Sequence, residues 1–248
     1  MRVFHGTDRL PAFRRPAATV GSYDGVHGGH YKLLDAVRRF ARERDGESVV
    51  VTFAPHPRIV LETQTDLRLL STLDEKVWLL ERAGIDNLVV IPFTREFSRT
   101  SSADFIRRDL VGKLGIEALV MGYNHHFGHN KEGDYGSLCS ADRPELQLCR
   151  IGRFCVDGEK VSSTAVRTLV EHGEMAHAAR MLCHPYLLIA GCKQGRLHID
   201  DPYKLLPPAG EYPVTADGEP ARLYIPSEGT PLLDLPLTRE KSLIEFTP

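Results

Sequence analysis

The sequence lacks an apolar run long enough to cross a membrane, and it lacks an excess of charge of one sign. No segment approaches the roughly 18 consecutive apolar residues of a membrane-spanning helix, and the amino terminus, MRVFHGTDRLPAFRRP, has no apolar core of signal-peptide length. The 31 basic residues are balanced by 33 acidic ones, so the basic excess that non-specific nucleic-acid binding requires is missing. We therefore expect a cytoplasmic protein that binds neither membranes nor nucleic acids.

Paired cysteines are missing as well. The chain has five cysteines, an odd number, and none of them forms a C-x-x-C pair. This pattern argues against a disulfide framework and against a thiolate zinc site. We expect reduced cysteines that mostly serve in packing, namely Cys139, Cys149, Cys155, Cys183 and Cys192.

Short apolar runs alternate with amphipathic stretches in the first part of the chain. The runs SVVVTF, NLVVIPF and ALVMGYN lack polar alternation, as is typical of strands buried on both faces. They occupy residues 48–53, 87–93 and 118–124. Stretches of helical period lie between them, at residues 30–44, 73–84 and 101–115. This alternation predicts an α/β domain around a parallel sheet.

Ser102 is the expected N-cap of the helix over 101–115, and Gly115 lies just past its end.

The later part of the chain predicts two further helices and then a change in composition. Residues 161–185 predict two short helices interrupted at Gly173. After Tyr186 proline and glycine become frequent, and GEYPV, ARLYI and SLIEF are typical of brief strands. We therefore expect a boundary near 184–188 and a small C-terminal β domain.

The turn YDGVHGGH carries two histidines, His27 and His30, at the first strand-to-helix turn. Glycines at 25, 28 and 29 let the backbone approach a ligand closely, and histidines at i and i+3 project from neighbouring positions of one helical turn. Together with the free N–H groups of a helix start, they indicate a phosphate site. Neither a P-loop nor a G-x-G-x-x-G fingerprint occurs. The alternative is that the histidines merely cap or line the turn.

A second polar cluster, VSSTAVR, lies at residues 161–167. Ser162, Ser163 and Thr164 stand at an expected helix start, with Arg167 one turn further on. Hydroxyls, backbone donors and a guanidinium fork at a helix start can hold a polyphosphate. The alternative is a capped helix with an exposed arginine.

Four motifs in order, GSYDGVHGGH, FAPHP, GYNHHFG and VSSTAVR, make the chain resemble a known family. Over residues 19–186 it resembles the adenylyltransferase domain of bacterial bifunctional riboflavin kinase/FAD synthetases. The resemblance implies a Rossmann-like nucleotidyltransferase sheet with helices on both faces. It also implies the Mg²⁺-assisted reaction of ATP with FMN to give FAD and pyrophosphate. Residues 1–186 would form this domain, and residues 187–248 a truncated β-barrel remnant.

The resemblance also implies roles for individual residues. His27 and His30 would stabilise charge on the transferring phosphate, and Asp24 would orient the turn or bind magnesium. The catalytic set is His27, His30, Thr164 and Arg167. The ATP-binding set is Gly21, Ser22, Tyr23, Asp24, Gly28, Gly29, Ser162 and Ser163. The flavin-binding set is Phe53, Pro55, His56, Asn124 and Phe127.

Several alternatives stay open at this point. Ser22, where the family usually has Asn, and the pair His125 and His126 also fit a related nucleotidyltransferase with another phosphorylated acceptor. A non-catalytic paralogue that binds flavin or nucleotide is a third possibility. His125, His126 and His129 could instead ligate a metal. No P-T-A-N motif of the kinase domain occurs, so no riboflavin kinase activity is expected.

Overall fold

The structure is a computed structural model of the 248-residue chain. It describes residues 1–63, 66–123, 128, 133, 135–136, 146–237 and 239–247. The chain forms two compact units. The first comprises Met1–Tyr23, Gly29–Leu67 and Val77–Phe154, and the second comprises Asp24–Gly28, Arg68–Lys76 and Cys155–Pro248.

The first unit contains a six-stranded sheet in which all neighbouring strands are parallel. Its order is β1-β4-β3-β2-β5-β6. The strands are β1 (Arg2–His5), β2 (Ala17–Val20), β3 (Ser48–Ala54), β4 (Asn87–Pro92), β5 (Ala118–Gly122) and β6 (Gln147–Ile151). The expected parallel α/β sheet is confirmed, although β1 and β6 were not recognised in the sequence. Both are less apolar than the central strands, because their residues are only partly buried.

Strand β2 lies where the chain reverses the direction in which it adds strands to the sheet. From β2 the chain proceeds through β3 to β4 on one side and later places β5 on the other side. Ligands of open parallel sheets bind beyond the carboxyl ends of the strands at such a switch point. The segment after β2 begins at this edge. The strands are held by a buried aliphatic core that includes Val49, Val51, Val89, Ile106 and Leu119.

The helices of this part of the chain match the expected stretches closely. They are α1 (Gly28–Glu43), the short α2 (Pro57–Val60), α3 (Leu73–Arg82) and α4 (Ser102–Asp104), which continues as a π-helix over Phe105–Lys113. The expected N-cap at Ser102 is wrong. Ser101 is the cap, because its side chain accepts a hydrogen bond from the Asp104 amide and its backbone is extended. Gly115, at φ +63°, follows the helix as expected.

The second unit contains a closed six-stranded antiparallel barrel. Its order is β10-β13-β12-β11-β14-β9. The strands are β9 (Leu187–Lys193), β10 (Arg196–His198), β11 (Gly210–Ala216), β12 (Glu219–Ile225), β13 (Leu232–Leu233) and β14 (Ser242–Phe246). The expected small C-terminal β domain is confirmed. The sequence revealed only β11, β12 and β14. Strands β10 and β13 have three and two residues, whereas β9 is an apolar seven-residue strand that was not recognised.

The second unit also contains a two-stranded sheet and two helices. The sheet pairs β7 (Cys155–Val156) with β8 (Glu159–Lys160). The helices, α5 (Ser163–Glu171) and α6 (Met175–Leu182), are interrupted at Gly173, as expected. Contacts group these helices with the barrel, whereas the sequence grouped them with the sheet. The domain boundary at residue 186 stays a prediction. None of the helices in the described ranges is long and apolar enough to cross a bilayer.

Candidate active site

The carboxylate of Asp24 holds the turn Asp24–Gly28 in place. Its Oδ1 accepts a hydrogen bond from the Ser71 amide at 3.1 Å, and its Oδ2 accepts one from Arg167 Nη2 at 2.8 Å. The side chains of Asp24 and Arg167 are both buried. Both carboxylate oxygens accept hydrogen bonds from the protein, so Asp24 orients this turn; its role as a magnesium ligand stays a prediction.

Gly25 is required by both backbone conformation and close packing. Its φ is +77°, and a Cβ at this position would lie 2.8 Å from Cδ1 of Leu70. Its amide donates to Ser71 Oγ at 2.9 Å, and its carbonyl lies 3.0 Å from His184 Nε2. The turn therefore has one fixed conformation, set by contacts from both sides.

His27 is a buried imidazole with only 8% of its surface exposed. Burial lowers the pKa of His27 to about 4, and the negative charge of Asp24 opposes this shift only in part. The ring is therefore neutral near pH 7 and carries one N–H donor. It can hydrogen-bond a phosphate oxygen, but before an anion binds it contributes no positive charge.

His30 lies in the first unit, in the first turn of α1, directly after Gly28 and Gly29. Its ring packs against the ring of Tyr23, with centroids 5.0 Å apart and planes tilted by 56°. Tyr23 is 1% exposed, and its hydroxyl donates to Thr19 Oγ1 at 2.8 Å. Burial raises the pKa of this tyrosine above its usual range. Tyr23 therefore supports the His30 ring from within the core.

The backbone after β2 runs tightly along the sheet. The Gly21 amide donates to the Val51 carbonyl at 3.0 Å, and the Ser22 carbonyl accepts from Thr52 Oγ1 at 3.4 Å. A Cβ at Gly21 would lie 3.1 Å from the Tyr23 ring. Gly21 thus allows the tyrosine to pack, and contacts of this segment to a ligand would come from its backbone.

The serine pair of VSSTAVR fixes the start of α5. Ser162 is the N-cap, and its hydroxyl accepts from the Ala165 amide at 3.2 Å. Ser163 Oγ donates to the Asp24 carbonyl at 2.9 Å. Thr164, in contrast, is exposed. Both serine hydroxyls are thus used within the protein, and Thr164 is the residue of this cluster that presents a side chain to solvent.

Arg167 joins the two motifs. Its Nη2 donates to Asp24, and its Nε donates to the Arg68 carbonyl at 2.7 Å. The residue is only 8% exposed, so the alternative of an exposed surface arginine is wrong. The helix α5 and the turn after β2, far apart in sequence, are therefore linked by an ion pair and by the Ser163 hydrogen bond.

Phe53, at the carboxyl end of β3, belongs to a cluster of half-buried aromatic rings in the first unit. Its ring centroid lies 5.6 Å from that of Phe93 and 5.9 Å from that of Phe97. Pro55 is exposed beside it. This aromatic edge offers apolar surface to a planar ring system.

His56 serves as the N-cap of α2, because its Nδ1 accepts a hydrogen bond from the Arg58 amide at 3.2 Å. The FAPHP segment therefore contains the end of β3, the cap and the first residue of a short helix. Asn124 and Phe127, the other two residues expected to contact a flavin, lie outside the described residues.

Comparison with known proteins decides the family. A family model described as FAD synthetase matches residues 11–165, more than half of the chain. The chain belongs to this family. The matched range contains both histidines of the turn and the polar residues at the start of α5, Ser162, Ser163 and Thr164. Arg167 lies two residues beyond the end of the matched range. The family expected from the four motifs, an enzyme family, is confirmed.

The curated relatives of this FAD synthetase family member are longer proteins. It is 29% identical over 208 residues to the bifunctional riboflavin kinase/FMN adenylyltransferase of Listeria monocytogenes, covering 79% of this chain and 66% of that protein. It is 32% identical over 171 residues to the Escherichia coli protein of the same name, covering 68% of this chain and 55% of that protein. The chain therefore spans between about half and two thirds of the relatives it matches.

One solved structure shares the fold of this FAD synthetase family member over nearly its full length. It is described as a macrolide-efflux protein from Streptococcus pneumoniae. The TM-score is 0.83 at 19% identity, and the match covers 99% of this chain and 90% of that chain. At this identity the likeness concerns the fold alone, sheet and barrel included.

Sequence reasoning missed the segment Arg68–Lys76 and His184, which hold the turn of this FAD synthetase family member. Ser71 and His184 carry no motif of their own, and their partners lie far away in sequence. One local signal was present, since Thr72 and Glu75 have capping-box spacing. The structure shows that box, with the Thr72 amide donating to Glu75 at 2.8 Å and the Glu75 amide donating to Thr72 Oγ1 at 3.3 Å.

The residues that the structure describes contain no group of three or more histidine, cysteine or acidic side chains placed to hold a metal ion. Both oxygens of Asp24 accept hydrogen bonds within the protein, so a magnesium ion bound there would share this carboxylate with Ser71 and Arg167. His125, His126 and His129, the alternative metal ligands, lie outside the described residues.

Proposed function

We propose that this chain transfers the adenylyl group of ATP to the phosphate of FMN, giving FAD and pyrophosphate. The observation that carries the proposal is the link between the two polar motifs. Arg167 and Ser163 both bond to Asp24, at 2.8 and 2.9 Å. In a FAD synthetase family member this link brings the His27 turn and the start of α5 together, where phosphate groups of a nucleotide can be held.

The reaction needs positioning and charge stabilisation rather than a covalent protein intermediate. A phosphate oxygen of FMN forms a bond to the α-phosphorus of ATP, and the bond from that phosphorus to the β-phosphate oxygen breaks in line. The electron pair of the broken bond leaves with pyrophosphate. Holding both anions in the reactive geometry is therefore the main contribution of the protein.

His27 and His30 would hydrogen-bond the phosphate oxygens on which charge develops. One well-placed donor of this kind typically contributes about 2.7–4 kcal/mol to the transition state. His27 suits this role as a neutral donor, because burial lowers its pKa to about 4. His30 would present its ring from the first turn of α1, where packing against Tyr23 orients it.

The start of α5 would hold the departing pyrophosphate. Thr164 offers an exposed hydroxyl, and the helix start offers backbone N–H groups and the positive end of the helix dipole. Ser162 and Ser163 would contribute through their amides, because their hydroxyls are engaged. Arg167 would add positive charge and its remaining N–H groups while it holds Asp24.

The remaining expected contacts complete the substrate sites. Gly21, Ser22 and Tyr23 would contact ATP through the backbone after β2, and Gly28 and Gly29 through the start of α1. Phe53 and Pro55, with the nearby His56, would face the isoalloxazine of FMN, and we carry Asn124 and Phe127 over from the family motif to the same ring. We expect magnesium to bind together with ATP, and we attribute no step of the reaction to it.

The chain has no P-T-A-N motif in its barrel, and we propose that it lacks riboflavin kinase activity. The test is to incubate the purified protein with Mg²⁺, ATP and either FMN or riboflavin and to resolve the flavins by chromatography. FAD from FMN without FMN from riboflavin supports the proposal. Formation of no FAD contradicts it and directs attention to another phosphorylated acceptor or to a binding protein. FMN from riboflavin contradicts the loss of kinase activity.

A matched pair of threonine variants tests the site itself. Thr164 and Thr168 are both exposed and lie one turn apart on α5. Thr164→Val should lower FAD formation at least tenfold, because the pyrophosphate loses a hydroxyl donor, whereas Thr168→Val should leave it unchanged. Equal rates in the two variants would remove Thr164 from the site.

A further inference from the structure

Lys204 and Glu75 form an ion pair deep inside the second unit. Lys204 Nζ lies 2.7 Å from Glu75 Oε2, and both side chains are almost completely buried. The ammonium also donates to the carbonyls of Leu70 at 2.7 Å and Leu187 at 2.9 Å. Glu75 in turn accepts from the Ile189 amide at 3.0 Å. The pair therefore joins a barrel strand, β9, to the segment Arg68–Lys76.

The hydrogen bonds around the pair fit its ionised form. Burial lowers the pKa of Lys204 and raises the pKa of Glu75. Glu75, however, has only donors on its oxygens, and Lys204 directs its protons at three acceptors. Removing one partner of such a pair leaves a buried charge without compensation. The pair thus has a strict geometry.

Backbone contacts reinforce the same connection. The Leu69 amide donates to the Tyr203 carbonyl at 2.7 Å, and the Leu205 amide donates to the Leu69 carbonyl at 2.8 Å. Arg68 Nη1 donates to the Pro202 carbonyl at 2.7 Å. The residues on either side of Lys204 therefore run beside Leu69 as a short parallel bridge.

The segment Arg68–Lys76 also holds the turn that carries His27. Directly after Leu70, Ser71 bonds to Asp24 through its amide and to Gly25 through its hydroxyl. The Arg68 carbonyl accepts from Arg167. A continuous series of hydrogen bonds thus runs from β9 through Lys204 and this segment to the turn.

We propose that Lys204 is a positioning residue for adenylyl transfer, through which the C-terminal barrel fixes the turn that carries His27. The proposal rests on the proposed function and gives the barrel a task that needs no kinase chemistry. In-line transfer is sensitive to such positioning, because a misplacement of about 1 Å can lower a rate on the order of 100-fold. Lys204 itself touches no substrate and acts through Leu70, Ser71 and Asp24.

The test uses the double variant Lys204→Met/Glu75→Gln in the full chain. The methionine removes the tether to the Leu70 carbonyl, and the glutamine leaves no buried charge. Its single side-chain oxygen can accept from the Ile189 amide or from the Thr72 amide, which bond to different oxygens of Glu75. We expect kcat for FAD formation to fall at least tenfold, with the KM values for ATP and FMN within about twofold. A merely structural loss would lower the amount of active protein and leave kcat per folded molecule unchanged.

Lys241→Met is the matched control. Lys241 forms ion pairs with Asp74 and Asp200 at 2.6 and 2.7 Å at the surface of the same unit. Its loss should leave kcat and KM unchanged. A double variant with the kcat of the wild type, or a Lys241 variant with an equal loss, would overturn the proposal.

Hydrogen exchange gives a second readout that does not depend on catalysis. In the double variant, the amides of Gly25 and Ser71 should exchange at least tenfold faster than in the wild type, while those of the sheet stay protected. If the wild type forms no FAD but this change occurs, the proposed function fails, while the link by which Lys204 fixes the turn stands. Unchanged exchange at Gly25 and Ser71 overturns the positioning role whatever the activity.

Discussion

Replacing Lys76 by methionine should stabilise the protein. Lys76 lies in the first turn of α3 and is only 5% exposed. Among the residues with described positions, none accepts a hydrogen bond from its ammonium or forms an ion pair with it. Burial lowers the pKa of Lys76 to about 8, and the more distant charges of Asp24 and Asp201 oppose the shift.

The size of the effect follows from that pKa. The usual value is 10.5 and the folded value about 8, so charging Lys76 costs the folded state about 3 kcal/mol, at about 1.36 kcal/mol per pKa unit. Between these two values the unfolded state binds the extra proton, and the free energy of unfolding of the wild type therefore rises with pH. Methionine has a similar length and no charge. Lys76→Met should be more stable than the wild type by about 3 kcal/mol at pH 7, and this advantage should shrink steadily toward pH 10.

Urea denaturation at pH 7, 8, 9 and 10 measures this difference. Trp78, the single tryptophan, lies on the same helix and reports its unfolding by fluorescence. Lys241→Met is the control, because the hydrogen bonds that Lys241 donates to Asp200 and Asp74 raise its pKa, so Lys241 keeps its proton throughout this range. Its difference from the wild type should be constant with pH. A constant difference for Lys76→Met as well, or a loss of stability at pH 7, would refute the reasoning.

Three further substitutions test the site. His30→Ala should lower kcat about 100-fold with little change in ATP binding measured by calorimetry, because the ring acts in the transition state; equal losses in both would contradict that role. Arg167→Lys should lower kcat at least tenfold, since one ammonium nitrogen cannot occupy the positions of both Nη2, which bonds to Asp24, and Nε, which bonds to the Arg68 carbonyl; wild-type kinetics would show the fork to be dispensable. Gly25→Ala should lower the free energy of unfolding by about 1–3 kcal/mol in urea denaturation, because the φ of Gly25 is positive and an added Cβ would clash with Leu70. Gly122→Ala should leave it unchanged, because a Cβ there has no neighbour within 4 Å.

The parts of the fold that the sequence predicted are those set by local patterns. The continuous apolar run at 48–53 predicted strand β3, and the helical period at 30–44 predicted helix α1, each to within two residues. The π-helix over Phe105–Lys113 was missed, because its apolar spacing resembles that of an α-helix. Strand β1 was missed, because an edge strand with exposed ends carries little pattern.

In the candidate active site too, the sequence predicted the residues that belong to local motifs and missed those that depend on distant contacts. The residues of the two polar motifs were found because their types suit phosphate binding, and the structure brings Asp24, Ser163 and Arg167 together. That Arg167 is buried could not be predicted, since its partners, Asp24 and the Arg68 carbonyl, lie about a hundred residues or more away. Lys204 gave no signal either, because a lone lysine in a proline-rich stretch is usually a surface residue.

The ion pair of Asp24 and Arg167 restricts which substitutions this family member can tolerate during evolution. A neutral residue at either position leaves the other charge buried and uncompensated, and a residue without a hydroxyl in place of Ser71 removes the acceptor of the Gly25 amide in the same turn. These positions should therefore be inherited as a set. In relatives where a neutral residue replaces Arg167, we expect a neutral residue at position 24 as well. A single substitution at either position would leave an unpaired buried charge and destabilise the fold.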